Sequence, residues 1–389
     1  MHNLPIELVK AIVENISDAA DLFHLRTVNS TCRDLVTANL FRKVCVQNSV
    51  KSAQNIHQIF TTPSLASHVH EVVYDSRKAH SFPLLDPSHG QDDCDELEIA
   101  DLEDALTETF CSLADLPNLK SVTLNFWPFF ISQSGVETHE HPYWFTNRQL
   151  TVLHSVYHAM QTTSSLFPNR GIRSLTMTNV VLMPRPCYDF VRSLTDSPLT
   201  HLSISVVSNV ELSSWSGSKT ANRSVDALLP VPNTRLTSLE IRSPNGLYHS
   251  PTAQLNAYTY PALKNLAVQN IIFPDTSSDD GMEEFIMRHK NTLRRLEMKS
   301  CVNYVQTSNN TPIRKWATIW ERLREELSEL VELVVDLDHE SGYVLQSADG
   351  YLRHSSLPAT VPGLAEEDEQ SLKEFYEHVN ARAVGTLRC

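Results

Sequence analysis

One apolar pattern returns along the chain and restricts it to strands that alternate with helices. It reads L-x-x-L-x-L with apolar substitutes, at Leu119/Val122/Leu124, Ile172/Leu175/Met177, Leu199/Leu202/Ile204 and Leu236/Leu239/Ile241. It continues at Leu263/Leu266/Val268, Leu293/Leu296/Met298 and Leu330/Leu333/Val335, with Val69/Val72/Tyr74 as an eighth candidate. With 41% apolar residues, three fixed positions match by chance in about 7% of windows, so the pattern needs its context. Most units follow a breaker: Pro117-Asn118, Asn169-Arg170-Gly171, Ser197-Pro198, Pro261 or Asn291-Thr292. Between units lie stripes at helical spacing: Leu102/Leu106/Phe110/Leu113, Leu150/Leu153/Val156/Tyr157/Met160, Met282/Phe285/Ile286/His289 and Trp316/Trp320/Leu323/Leu327. Helical and alternating periods taking turns in this way predict an α/β fold.

Composition removes several functions. The chain has 389 residues, Lys+Arg 32 and Asp+Glu 46, for a net charge of −14. Such a chain lacks the concentrated basic face that nucleic-acid backbones require. The 10 glycines are scattered, the closest two being Gly342 and Gly350. The closely spaced glycines of phosphate-cradling loops and nucleophile elbows are therefore missing. Seven cysteines, widely spaced and without C-x-x-C, argue against a disulfide framework or a zinc ribbon. The segment MHNLPIELVKAIVENI carries acids and no long apolar run, so it does not read as a signal peptide. No apolar stretch is long enough to span a bilayer, and the expectation is a reduced cytoplasmic and/or nuclear location without membrane attachment.

The first fifty residues read as three short helices and a strand. Asn3 can cap the first helix, with Pro5 in its first turn and Leu8, Val9, Ile12, Val13 and Ile16 on a broad apolar face. Asp21 can start a second helix, and Asn29 or Ser30 a third, with Val44 and Val46 alternating afterwards. A core this small is below the size that usually folds unaided, so part of the apolar surface is expected to meet another protein. The run LPIELVKAIVENI…DLFHLRTVNSTCRDLV…LFRKVCV, within residues 3–46, resembles the F-box in the form common in fungal F-box proteins. It departs from the pattern where Asp34 follows Arg33, a place where many members carry a bulky aromatic. The resemblance implies docking on the adaptor of a cullin–RING ubiquitin ligase, and through it on cullin and RING subunits. It also implies that Leu4, Pro5, Leu8, Ile12, Leu22, Leu25, Val28 and Leu35 form the docking surface or its support.

The later units resemble leucine-rich repeats with insertions, the shorter intervals being 27 and 30 residues. The Asn/Cys expected at the ninth repeat position is met clearly only by Cys301. The reading is thus an N-terminal three-helix F-box (1–47), an irregular leucine-rich-repeat-like α/β solenoid (48–365) and a C-terminal capping helix (366–389). The competing reading is an irregular α/β domain with scattered strands. Three inserts interrupt the pattern: an acidic one at 75–98, an aromatic one at 127–145 and one at 337–365 that ends in Pro-rich coil.

The final helix groups Leu372, Phe375, Tyr376 and Val379. His139-Glu140-His141 lacks the i, i+4 spacing that lets a helix share zinc between two histidines. No metal, cofactor or catalytic residue is expected. Alternate strand positions offer Arg295, Glu297 and Lys299, with Arg242 and Glu332 on neighbouring units, as a patch for reading a target protein. The sequence therefore points to a non-enzymatic substrate-recognition subunit of an SCF-type E3 ligase with an unidentified target. The alternatives are an adaptor-bound scaffold that ubiquitinates nothing, or an enzyme that uses the His-bearing inserts.

Overall fold

A computed structural model describes residues 4–16, 18–76, 94–127, 142–166, 170–183, 190–191, 197–207, 225–230, 235–243, 255, 258–273, 281–305, 314–337, 342–346, 352–354 and 363–386. Helices come first, a large sheet of parallel strands alternating with helices follows, and a long helix ends the chain. By internal contacts the chain divides into two units. One is Met1–Trp127 with Glu140–Thr176 and Asp196–Pro198, the other Pro128–His139 with Met177–Thr195 and Leu199–Cys389.

The first unit opens with α1 (Ile6–Glu14), α2 (Ala19–Arg26) and α3 (Ser30–Arg42). Val9 and Val13, four residues apart, turn inward from α1 and meet Leu22, Cys32 and Val36, with Ile16, Leu25, Leu35 and Leu40 packed around them. Asp18 caps α2 by accepting from Ala20 N at 2.8 Å, so that helix starts before the Asp21 expected from sequence; Asp21 instead sits in the first turn. Asn29 caps α3 through Cys32 N at 2.8 Å. Pro5 stands at the N-cap of α1, and the expected cap Asn3 lies outside the described residues.

The chain then runs through β1 (Lys43–Gln47), α4 (Val50–Thr61), α5 (Pro63–Ala66), β2 (Glu71–Asp75), α6 (Cys94–Cys111), β3 (Ser121–Asn125) and α7 (Pro142–Leu166) to β4 (Ser174–Val181). Strands β1, β2 and β3 pair in parallel, with Val44↔Val72↔Val122 and Val46↔Tyr74↔Leu124 in register. Tyr74 meets Phe110 edge-on at 5.6 Å and donates its hydroxyl to Asn48 Oδ1 at 2.9 Å. Two inserts read from sequence are partly helix. Cys94 opens α6 inside the acidic stretch, and Tyr143, Trp144 and Phe145 belong to α7 rather than to a loop. The hydrophobic stripes that follow each of them are long enough to carry the helix back into those segments.

The second unit contains β5 (His201–Val207), β6 (Ser238–Arg242), β7 (Asn265–Gln269), β8 (Ile272–Phe273), α8 (Met282–Arg288), β9 (Arg295–Lys299) and β10 (Val302–Val305). It continues with α9 (Trp316–Glu326), β11 (Glu332–Asp336), β12 (Tyr343–Gln346), β13 (Leu352–His354) and α10 (Leu364–Thr386). The large sheet keeps chain order, β1-β2-β3-β4-β5-β6-β7-β9-β11. Across β5, β6, β7, β9 and β11 the register aligns Leu202, Leu239, Leu266, Leu296 and Leu333, then Ile204, Ile241, Val268, Met298 and Val335. Every strand of the recurring apolar pattern is thus a strand of this sheet.

A second, smaller sheet, β13-β12-β10-β8, was not legible in sequence. Its strands β8, β10 and β12 are parallel, and β13 runs antiparallel to β12. After β7 and after β9 the chain passes one left-handed residue, Asn270 (φ 55°) or Ser300 (φ 46°), before entering β8 or β10. Asn270 suits this position because its short polar side chain tolerates left-handed backbone, and its Nδ2 donates to Ser243 O at 2.5 Å. Cys301, the one residue that met the repeat's ninth position, is buried and donates its thiol to Val268 O at 3.7 Å; burial pushes that thiol up to about 12. Strands β12 and β13 fall within 337–365, which the sequence presents as an insert ending in coil; that reading is corrected here.

Helix α10 packs on α9 and β11. Phe375 and Val379 are buried as expected, but Leu364 and Ser371 join them, while Leu372 and Tyr376 are only half-buried. The inward line therefore runs 364, 371, 375, 379. Lys315 gives α9 no side-chain cap. Asp368 of α10 supplies one instead, accepting from Ala317 N at 2.7 Å and from the Tyr343 hydroxyl at 2.6 Å. Burial holds the Asp368 carboxyl above its ordinary range. The Tyr376 hydroxyl accepts from Val335 N at 2.7 Å and donates to Val335 O at 3.2 Å.

Removing that hydroxyl deprives the Val335 N–H and C=O of this partner. Tyr376→Phe is expected to lower stability by about 1–2 kcal/mol, measured by urea unfolding, with the helix content of the folded state unchanged. A second expectation concerns His289, which is buried, stacks on Tyr260 and accepts from Tyr260 N at 2.9 Å, while its Nδ1 lies 2.7 Å from Phe285 O. Burial lowers its pKa from 6.5. Below that value the unfolded chain takes up a proton that the folded chain refuses, so stability present at neutral pH is lost as pH falls through the sixes. His289→Gln should flatten this part of the profile; equal slopes for the two proteins between about pH 7 and pH 5 would assign the loss to other groups.

Candidate functional site

Two surfaces carry the residues singled out by sequence, one in each unit. The first is the N-terminal helical module. Among the described residues nine large apolar side chains are exposed, and six of them fall here: Leu4, Ile6, Leu8, Ile12, Phe23 and Val28. Leu8 and Ile12 are 51% and 48% exposed and lie one helical turn apart on α1, a line separate from the buried Val9 and Val13. Six such exposures within residues 4–28 depart from the scattered single exposures that are the ordinary case.

The eight residues assigned to docking or its support divide accordingly. Leu4, Pro5, Leu8, Ile12 and Val28 are exposed; Leu22 is in the module core, and Leu25 and Leu35 pack against that core. Sequence reasoning passed over Ile6 and Phe23. Phe23 had a signal, because it lies off the line of Leu22 and Leu25 in an otherwise short helix.

The second surface is the strand face of the second unit opposite the buried leucines. Residues on alternate positions line up in rows: His201, Ser238, Asn265, Arg295, Glu332; then Ser203, Glu240, Ala267, Glu297, Val334; then Ser205, Arg242, Gln269, Lys299, Asp336. Arg295, Glu297, Lys299 and Glu332 come together as one ionic group. Arg295 Nη2 lies 2.8 Å from Glu297 Oε2, Lys299 Nζ lies 2.5 Å from Glu297 Oε1, and Arg295 also pairs with Glu332. Hydrogen bonds from Lys299 and then Arg295 hold the Glu297 carboxyl below its ordinary range. The hydrogen bond to Glu297, and then that to Glu332, raises Arg295.

Arg242 shares the face but not the group: Gln269 stands between it and Lys299, and it pairs with Glu240, which also accepts from Ser203 Oγ at 2.5 Å. The charges expected to read an ionic target are therefore already satisfied within the chain. Sequence placed the cations correctly on one face and could not tell that Glu240 and Glu297 answer them.

Elsewhere, the arrangement nearest to a nucleophilic trio is Ser112, His57 and Glu108. His57 Nδ1 lies 3.2 Å from Ser112 Oγ and its Nε2 3.5 Å from Glu108. The Ser112 hydroxyl donates to Glu108 O at 2.9 Å and sits at the carboxyl end of α6, where backbone carbonyls rather than N–H groups converge. That end repels a developing oxyanion instead of stabilising it. No three His, Cys, Asp or Glu side chains among the described residues form a metal cluster, and His139-Glu140-His141 lies outside those residues. No helix among them is long and apolar enough to cross a membrane.

Compared with known proteins, the chain matches no family profile and no curated protein. The surfaces themselves therefore carry the functional argument. One expectation follows from the ionic group. The Glu297 side chain is 14% exposed, but its partners Arg295 and Lys299 are 40% and 41% exposed, and pairs whose cations stay in water contribute little. Glu297→Gln should lower stability by no more than about 1 kcal/mol, with the difference shrinking in about 0.5 M salt; calorimetric unfolding in low and high salt measures it.

Proposed function

We propose that the protein is a non-catalytic substrate receptor of a cullin–RING ubiquitin ligase. The N-terminal module docks on the ligase adaptor in the manner of an F-box, and the repeats behind it, read as a degenerate leucine-rich-repeat solenoid, hold a target protein. The mechanism is proximity: a tethered target meets the transfer site at high effective concentration, and this chain takes no covalent part. The observation that carries the reading is the line of exposed Leu8 and Ile12, with Leu4, Pro5 and Val28, on a module whose own core is complete without them. Burying each large apolar side chain at an interface stabilises a complex by roughly 1.5–3 kcal/mol, enough for a handful of them to anchor a partner.

Because Leu8 and Ile12 are outside the core, charges can replace them without unfolding the module. Leu8→Asp with Ile12→Asp is expected to abolish binding of the purified adaptor in a calorimetric titration, since both carboxylates would be desolvated in an apolar seam. Circular dichroism and thermal unfolding of the variant should match the parent. Unchanged adaptor affinity in a folded variant would remove the docking assignment.

A further inference from the structure

On the strand face of the second unit, charge is distributed unevenly. β6 carries the Glu240–Arg242 pair and β9 carries Arg295, Glu297 and Lys299, each acid answered by its own cations. Between these two ridges runs β7, whose residues on this face are Asn265, Ala267 and Gln269. All three are half-exposed. Neither side-chain amide has a hydrogen-bond partner among the described residues. Ala267 stands in register with Glu240 on one side and Glu297 on the other, so the strip dips at its centre between two longer side chains.

We propose that this strip is the seat of an uncharged, extended peptide segment of the target. The inference rests on the reading that the target binds this face. Carboxamides both donate and accept, which matches the N–H and C=O of a peptide backbone. Asn265 and Gln269 are four residues apart on a strand, about 13 Å, so an extended chain lying along β7 meets one amide near each end of a stretch of about four residues. The dip over Ala267 takes a small side chain between them.

Charge argues for neutrality. Glu297 is held by two cations, and Glu240 by Arg242 and Ser203. An ionic group on the target would have to displace a partner already in place, whereas a neutral segment leaves both ridges intact and is flanked by them. The ridges then discriminate: an acidic residue set down over Ala267 faces the carboxylates of Glu240 and Glu297, and a basic one has to compete for them with Arg242, Arg295 and Lys299.

The test pans a displayed library of random peptides of about nine residues against the full chain. Enriched peptides are titrated against the parent and three variants in about 0.05 M and 0.5 M salt. Ala267→Trp fills the dip, Asn265→Leu with Gln269→Leu removes the amides, and Arg295→Glu with Lys299→Glu inverts one ridge. Enriched sequences should be poor in charge, bind with little salt dependence, and lose about tenfold or more in affinity to each of the first two variants. The ridge variant should change affinity far less. Thermal unfolding verifies each variant, and if Ala267→Trp fails to fold, the amide variant decides alone.

Charged, salt-sensitive binders that are lost with the ridge variant and kept by Ala267→Trp would overturn the neutral strip while leaving the face as the target's seat. Binders indifferent to all three variants would overturn the face itself, and no enrichment would do the same. Adaptor binding is measured alongside and should stay constant throughout, so a failure here is distinct from a failure of docking.

Discussion

Leu239, Leu266, Leu296 and Leu333 stand side by side because parallel strands pair without offset. That alignment sets almost everything else in the second unit. A parallel neighbour cannot be reached by a tight turn, so each strand must be followed by a crossover. Helices α8 and α9 fill that role, and their aromatic and aliphatic faces, Phe285 and Ile286 in one, Trp316 and Trp320 in the other, are buried as a result. The left-handed corners at Asn270 and Ser300 are the other side of the same constraint, since the chain must leave the sheet at equivalent places in successive units. Burial of the leucine rows supplies the driving force, and the hydrogen-bonded register fixes which solvent-facing residues become neighbours.

The polar groups of the interior serve this arrangement instead of competing with it. Glu283 is almost fully buried and would be untenable alone, yet Arg314 and Arg322 both reach it. Asp368 completes a helix start that Lys315 cannot cap, and Tyr343 links that carboxylate to Trp316 N. These contacts tie residues 25 to 51 positions apart in sequence, and the last helix is fastened by the hydrogen bonds of Asp368 as well as by Phe375 and Val379.

Much of the fold was legible because its signal is local. A strand two residues either side of a buried Leu, or a helix with apolar residues every three or four positions, announces itself in a short window. The starts of α6 and α7 were not, because Cys94 and Tyr143 lie in segments whose composition suggests loop. Strands β8, β10, β12 and β13 have two to four residues each, too few for any period. The ionic patch was legible as a set of positions and illegible as chemistry. Side-chain direction along single strands places Glu240 beside Arg242 and Glu297 between Arg295 and Lys299, but that these pairs form is a matter of side-chain geometry, and that a neutral strip separates the groups requires the register of β6, β7 and β9. The N-terminal module shows the same division: pattern identified the apolar residues, and only packing sorted Val9 and Val13 inward from Leu8 and Ile12.

A sheet assembled from repeating parallel units has no intrinsic last strand. The outward backbone groups of β11 offer what any further unit, from this chain or another, would need in order to add on, and an uncovered edge of this kind is where ordered aggregates begin. The Tyr376 phenol, giving one hydrogen bond to Val335 and taking one from it, presents to that edge the donor and acceptor that a next strand would present, on a ring that cannot itself be extended. The closing helix thus answers, through one side chain, the outward donor and acceptor of Val335 on this edge.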